Sequence, residues 1–365
     1  MEALDIAIPL IVAGITTALL TPVAWRLAEK LGILDQPSDR SVAHRAGIPL
    51  LGGLAVAGGF VVGLFVALQV DEPPVASSHL MGMLLGGALI LALGVWDDRY
   101  GLGAGVKFAV QSVAAVIAIS SGFQMSHLTE PVSHVTFVFP PVLAWIASLL
   151  WIVGVTNAVN LIDGLDGLAT GVSAIICAAL AVTLAQAAEP FGLCIGLALL
   201  GALLGFLPFN FPPARIFLGD TGALFAGYML ALLSLEGYRQ VTVITFVVPL
   251  LALAVPIIDT GLSILRRART GVNPFRADRL HIHHRLLARG GSPRRAVLHF
   301  YFLTTCFAFI AVSFTNLQGY VAAICLLIVL LLTLRLLANL GVLSFPVEEP
   351  GARGGSPGGN EEDRP

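Results

Sequence analysis

Apolar runs broken by short polar stretches recur along almost the whole chain. Many are long enough to cross a hydrocarbon core of about 30 Å, which takes roughly 20 helical residues. They fall at 5–28, 48–69, 79–96, 103–121, 138–157, 168–187, 190–208, 221–236, 241–265, 297–314 and 318–340, and so predict eleven spans. The expected fold class is all-α: a polytopic membrane protein of about eleven transmembrane helices. One integral-membrane domain over 1–345 is expected, followed by a disordered tail over 346–365 rich in Gly, Pro and mixed charge. Glu2 and Asp5 precede the first run, and Arg26 and Lys30 follow it. That is the reverse of a cleaved signal peptide.

Composition strengthens this picture. Of 365 residues 57% are hydrophobic and 12% charged, whereas soluble domains carry about 25% charged residues. The net charge of −2 conceals a strong asymmetry between loops. Arg40 and Arg45, Arg99 and Lys107, Arg215, and the stretch from Arg266 to Arg295 occupy alternate loops. The intervening loops around Asp71, His127, Glu189 and Asn316 carry no Lys or Arg, and a turn with Arg239 is the exception. Lys and Arg in short loops are retained in the cytoplasm, so the basic loops are expected inside and the N-terminus outside. Cys177, Cys194, Cys306 and Cys325 all lie within apolar runs at no metal-ligand spacing, which suits small core residues.

Ionisable groups beside membrane spans are costly and therefore candidates for function. They gather in four segments, GVWDDRYGL (94–102), NAVNLIDGLDGLATG (157–171), NFPPARIFLGDTG (210–222) and DRLHIHHRLL (278–287), all on the side assigned to the cytoplasm. Asp97 and Asp98 end the third run. Asn157, Asn160, Asp163 and Asp166 recur every third residue and so share a helix face, until Gly164 and Gly167 break the helix. Such a set can hold a metal ion, a ribose or a base edge.

In the third segment Asp220 or Thr221 can cap the following helix, and the glycines on either side would let a phosphate approach backbone amides. The fourth segment sets His281, His283, His284 and Arg285 among nine arginines between 266 and 295. That pattern suits phosphate or anionic lipid, and it lacks the sulfur or further histidines of a zinc site. A solvated helix end, a polar turn, a simple cap and a basic loop are the plain alternatives for the four segments.

Together and in this order, the segments resemble the polyprenyl-phosphate N-acetylhexosamine-1-phosphate transferase family, over most of the chain. DRSVAHRAGIPLLGG, with Arg40, His44, Pro49, Gly52 and Gly53, is similar to its first cytoplasmic loop. GVWDDRYGLGAGVKFAVQ is similar to its DD motif, followed by Lys107 and Gln111. HIHHRLL is similar to the motif of the branch that transfers N-acetylglucosamine 1-phosphate to undecaprenyl phosphate. Ala223 departs from the serine common after GDTG in the family.

The resemblance implies attack by a polyprenyl phosphate on the β-phosphorus of a UDP-amino-sugar, releasing UMP and initiating a cell-envelope polysaccharide. It implies Mg²⁺, with Mn²⁺ as the alternative, held by Asp220 with Asn160. It implies Asp97, Asp98, Asp163 and Asp166 as catalytic residues. Arg40, His44, Lys107, Asn157, Asn210, Phe217, His281, His283, His284 and Arg285 are implied as substrate contacts. The implied partners are donor, lipid acceptor and surrounding membrane lipid in a bacterial inner membrane. No nucleic acid is implied, and a homodimer is left open. The same chemistry on another UDP-N-acetyl-amino-sugar or on UDP-MurNAc-pentapeptide is the nearer alternative. An ion-coupled transporter is the distant one, because its site would lie near the bilayer midplane between repeats that this sequence does not display.

Overall fold

A computed structural model describes residues 3–35, 47–71, 73, 76–129, 136–238 and 292–313, together with positions 324, 327, 328, 331 and 335. Nine helices lie among them: α1 (Ala3–Leu31), α2 (Gly52–Asp71), α3 (Ser77–Tyr100), α4 (Ala104–Ser121), α5 (Pro141–Ile162), α6 (Leu168–Gln186), α7 (Pro190–Asn210), α8 (Gly219–Tyr238) and α9 (Pro293–Ser313). Eight of the nine, all but α8, are long and apolar enough to cross a membrane. The expected runs 241–265 and most of 318–340, with the tail, lie outside the described residues.

Local chemistry sets the helix ends. Pro141, Pro190 and Pro293 open their helices, where a missing N–H costs nothing. Gly101 closes α3 in a left-handed conformation, φ 65°, and its amide donates to the Asp97 carbonyl at 2.8 Å. Gly167, at φ 72°, turns the chain into α6. The fifth expected span begins at 138, but residues before α5 form a hairpin instead. Strands β1 (His127–Thr129) and β2 (Thr136–Val138) pair antiparallel, with Leu128 opposite Phe137. Thr136, Phe137 and Val138 are β-branched or aromatic, and Pro140 then ends the extended segment.

Helix α8 is the axis of the bundle. Every residue from Thr221 to Glu236 is buried, and α2, α3, α5, α6 and α7 all pack against it. A helix enclosed on all sides is apolar on all sides, which its sequence is apart from its two ends. The bundle exterior is apolar as well. Ile11, Ile15, Leu19 and Val23 form an outward stripe on α1, each more than half exposed. Such a stripe suits a hydrocarbon solvent, and spans that reverse direction through it bring alternate loops to one end of the bundle.

Glycines set how closely α8 approaches its neighbours. A Cβ on Gly53 would lie 2.1 Å from the Gly222 nitrogen, and one on Gly94 would lie 2.3 Å from the Thr221 Cα. Helices α2 and α3 therefore press directly on the backbone at the start of α8. The segment 49–53 pairs with 217–218: Phe217 N–H donates to Pro49 O at 2.8 Å, and Gly52 and Gly53 N–H donate to the Phe217 and Leu218 carbonyls at 3.1 and 2.9 Å.

Candidate active site

At one end of the bundle the C-terminus of α3, the first turns of α4 and α8, the C-terminus of α5 and the turn 163–167 meet. Asp98 reaches from α3 to the start of α8. Its Oδ1 accepts the Asp220 N–H at 2.8 Å, and its Oδ2 accepts the Thr221 N–H at 3.0 Å and the Thr221 hydroxyl at 2.5 Å. The cap of α8 is therefore borrowed from another helix, where the sequence suggested Asp220 or Thr221. The first free amides of a helix attract an anion, and Asp98 supplies one from within the protein. These two amides are thereby committed, so the glycines around Asp220 serve close packing and not a phosphate cradle. A Cβ on Gly219, itself at φ 71°, would sit 2.2 Å from the Leu50 carbonyl oxygen.

Capped this way, Asp220 is free to turn its side chain into the site. Its Oδ1 accepts from Asn160 Nδ2 at 2.6 Å and its Oδ2 from Lys107 Nζ at 2.9 Å. Lys107 Nζ also meets Asp97 Oδ2, while Asp97 Oδ1 accepts the Leu102 N–H at 2.7 Å. The Asp97 side chain is 2% exposed and that of Asp220 is 33% exposed, with Lys107 between them at 22%. One carboxylate of the trio is sealed and the other is open.

Asn157 and Asn160 lie on the last turns of α5, and Asp163 and Asp166 lie in the turn beyond it, because the helix stops at Ile162. Asn157 exchanges hydrogen bonds with Gln111 of α4, its Nδ2 donating to Gln111 Oε1 at 2.6 Å. Asp166 Oδ2 accepts the Ala214 N–H at 2.9 Å, tying the two loops of the site together. Burial holds the Asp163 carboxyl well above the usual carboxylate range, and the negative charges of Asp220, Asp98 and Asp166 push it the same way.

Two expected substrate contacts are engaged inside the protein. Asn210 is 2% exposed, accepts from Thr170 Oγ1 at 2.7 Å and donates to the Ile216 carbonyl at 3.0 Å. Phe217 is partly buried, and its backbone pairs with segment 49–53. Arg40, His44, His281, His283, His284 and Arg285 lie outside the described residues.

Other residues at this end were not anticipated. Burial, followed by the charge of Asp166, holds the Asp35 carboxyl above its ordinary value. Tyr301 of α9 donates to the Gly167 carbonyl at 2.5 Å, and Arg294 Nε donates to the Pro212 carbonyl at 2.7 Å. The only sequence sign of Tyr301 was a polar tip in an apolar run, and it gave no partner.

Among the described residues, no three Asp, Glu, His or Cys side chains converge to enclose a metal ion. Magnesium does not require such a cage, since it commonly takes one or two carboxylates and completes its shell with water and phosphate oxygens. The accessible Asp220 and the oxygen donors beside it fit that mode.

A bundle of apolar helices with an acidic cluster at one end defines a multi-pass membrane protein with a polar site at its boundary. Residues 80–238 match the model of glycosyl transferase family 4. A Bacillus subtilis (strain 168) protein named as a probable undecaprenyl-phosphate N-acetylglucosaminyl 1-phosphate transferase is 40% identical, covering 84% of each chain. The decaprenyl-phosphate N-acetylglucosaminephosphotransferase of Mycobacterium tuberculosis (strain CDC 1551 / Oshkosh) is 36% identical over 83% of this chain and 82% of its own. The undecaprenyl-phosphate alpha-N-acetylglucosaminyl 1-phosphate transferase of Escherichia coli (strain K12) is 29% identical over 81% and 80%. The chain belongs to glycosyl transferase family 4, in agreement with the resemblance carried by its motifs.

Proposed function

We propose that the protein transfers N-acetylglucosamine 1-phosphate from UDP-N-acetylglucosamine to undecaprenyl or another polyprenyl phosphate at the cytoplasmic face of a bacterial inner membrane. A lipid phosphate oxygen bonds to the β-phosphorus of the donor. The bond from that phosphorus to the oxygen bridging to the α-phosphate breaks, and UMP leaves with the electron pair. The product is a lipid-linked sugar diphosphate. The observation that carries this reading is the meeting of Asp220, Lys107 and Asn160 from three helices at the end of an apolar bundle. A water-soluble nucleotide and a membrane-held lipid can react only at such a boundary.

Phosphoryl transfer needs positioning and charge neutralisation more than covalent help. Lys107 supplies a positive charge for the donor phosphates, and the sealed Asp97 orients it. Asp97 thus acts on the lipid phosphate through Lys107. Asp98 holds the start of α8, so that Asp220 and Asn160 present oxygens to a cation. Asp163 and Asp166 line the diphosphate pocket, with Asn157 fixed by Gln111. Mg²⁺ bound at Asp220 would neutralise charge developing on the departing UMP. Arg40, His44, His281, His283, His284 and Arg285 retain the donor-contact roles that the family resemblance implies.

Purified protein given undecaprenyl phosphate and, separately, UDP-N-acetylglucosamine, UDP-N-acetylgalactosamine or UDP-MurNAc-pentapeptide should form lipid product from the first donor, identified by mass. Asp220→Asn should remove turnover without unfolding the protein. Product from UDP-MurNAc-pentapeptide alone would overturn the assignment of donor.

A further inference from the structure

The oxygens of Asp220 are already engaged. Asn160 donates to one at 2.6 Å, and the full positive charge of Lys107 rests on the other at 2.9 Å. The same ammonium meets Asp97, so one side chain from the first turn of α4 bridges carboxylates on α3 and α8. Their approach is enforced, because Gly94 of α3 packs against the Thr221 backbone with no space for a Cβ. Without a cation between them, two negative charges would face each other at the edge of the membrane. A divalent cation on either oxygen of Asp220 would lie within a few ångströms of the ammonium and be repelled by it.

We infer that Lys107 is a resident counter-ion which a divalent cation must displace from Asp220. Lys107 therefore weakens metal binding while it preorganises the carboxylates. The inference rests on the proposed role of Asp220 as the cation ligand. The asymmetry of exposure gives the exchange a direction. Asp97 is sealed and Asp220 is one third open, so the ammonium can give up Asp220 and keep Asp97. The metal then enters from the open side, and Lys107, still held by Asp97, is left to face incoming phosphate. If Lys107 were only a structural tie, its loss would let the carboxylates drift apart and metal binding would weaken.

The test is Mn²⁺ titration of the full-length protein in detergent, without nucleotide or lipid, read from the EPR signal of free Mn²⁺. Asp220→Asn should abolish the tight site. If it does not, the metal-ligand reading fails, and the inference fails with it. Lys107→Met should tighten Mn²⁺ binding by at least about fivefold, as expected when a unit charge a few ångströms away is removed from a partly hydrated site. Lys107→Arg, which keeps the charge, should stay within about twofold of the unsubstituted protein. Lys107→Gln replaces the methionine variant if that one does not fold. Tighter metal binding together with lower turnover is the combination that a structural tie cannot produce. Unchanged or weaker binding in Lys107→Met, with Asp220→Asn still abolishing the site, overturns the counter-ion role and leaves the metal reading standing.

Discussion

Asp163 gives the sharpest consequence at the scale of the single residue. Its carboxyl is held well above the ordinary range by burial and by three neighbouring carboxylates. A carboxyl whose folded pKa is raised destabilises the fold progressively as pH climbs above its unfolded value of about 3.9. The penalty is absent below that value and complete once pH exceeds the folded pKa. Asp163→Asn should therefore raise the melting temperature of the metal-free protein at pH 8, and the gain should vanish as the pH approaches 4. Added Mg²⁺ should shrink the difference at pH 8, because positive charge in the cluster relieves the same repulsion. Equal melting curves at pH 8 without metal would show that Asp163 is not in the crowded state described.

The residues that meet at the acidic end were largely legible in the sequence, and the contacts among them were not. Asp97, Asp98, Lys107, Asn160 and Asp220 stand out as polar groups that a membrane protein does not keep without cause. Sequence spacing places Asp97 and Asp98 side by side, but it cannot say that one seals Lys107 in place while the other caps a helix more than a hundred residues away. That depends on which face of α3 meets α8, and Gly94 decides it through packing. Asp35 and Tyr301 escaped notice for a related reason. Asp35 is partly buried within reach of the Asp166 charge and Tyr301 donates to the Gly167 carbonyl, and nothing local announces such a neighbour.

At the scale of the element, the expected start at Pro190 and the break at Gly167 agree with the structure, whereas the fifth run was expected from 138 and begins at Pro141, and the third was expected to end at 96 and continues to Tyr100. The hairpin was missed because its strands are three residues each, too short for a periodic signal. The glycines of the apolar runs carried no expectation from the sequence, and several of them permit close contact between helix backbones. This separates two classes of substitution. Gly53→Ala would drive a methyl into the Gly222 backbone at 2.1 Å, whereas nothing lies within 4 Å of a Cβ on Gly154. Gly53→Ala should displace the start of α8, lower the melting temperature and remove turnover. Gly154→Ala should leave both unchanged, since alanine is the better helix former. Full activity in Gly53→Ala would mean that Asp220 does not depend on this packing.

The pairing of α3 with α8 has a second fastening at the far end of the bundle. His79 of α3 is 5% exposed and Glu236 of α8 is 2% exposed, and His79 Nε2 lies 2.6 Å from Glu236 Oε1. The Ser121 carbonyl, 2.8 Å from His79 Nδ1, can only accept, so Nδ1 carries a hydrogen. A proton between Nε2 and Glu236 is then needed to avoid a lone pair facing a carboxylate. Phe123 stacks on the ring at 4.0 Å. Breaking a buried pair of this kind costs about 3–5 kcal/mol, whereas replacing both members with apolar residues is often neutral. His79→Leu or Glu236→Leu alone should lower the melting temperature strongly, and the double variant should recover most of the loss. No recovery would mean that other contacts of the two residues dominate.

For the whole molecule, the sidedness expected from the loop charges can be set against which segments share an end of the bundle. By the charge rule, Arg40, Arg99, Lys107, Arg215 and the run after Arg266 are expected on one side. Within the bundle, the C-terminal ends of α1, α3, α5 and α7 share one end with the starts of α2, α4, α6, α8 and α9. Arg99 Nη1 donates to the Leu31 carbonyl at 3.0 Å, and Arg294 reaches Pro212, so contacts across the end hold these segments together. The acidic cluster therefore lies at the end of the bundle that carries Arg99, Lys107 and Arg215, the side that the charge rule expects in the cytoplasm. Helix α4 joins the two sides, with Ala104 at the polar end and the hairpin beyond Ser121 at the other. Ser126→Cys, exposed before the hairpin, should react in intact cells with a maleimide that cannot cross the membrane, and Ala104→Cys should react only after the cells are opened. A variant with every native cysteine replaced supplies the background. The inverse pattern would place the acidic cluster outside, away from any nucleotide donor, and would rule out the proposed transferase reaction at this site.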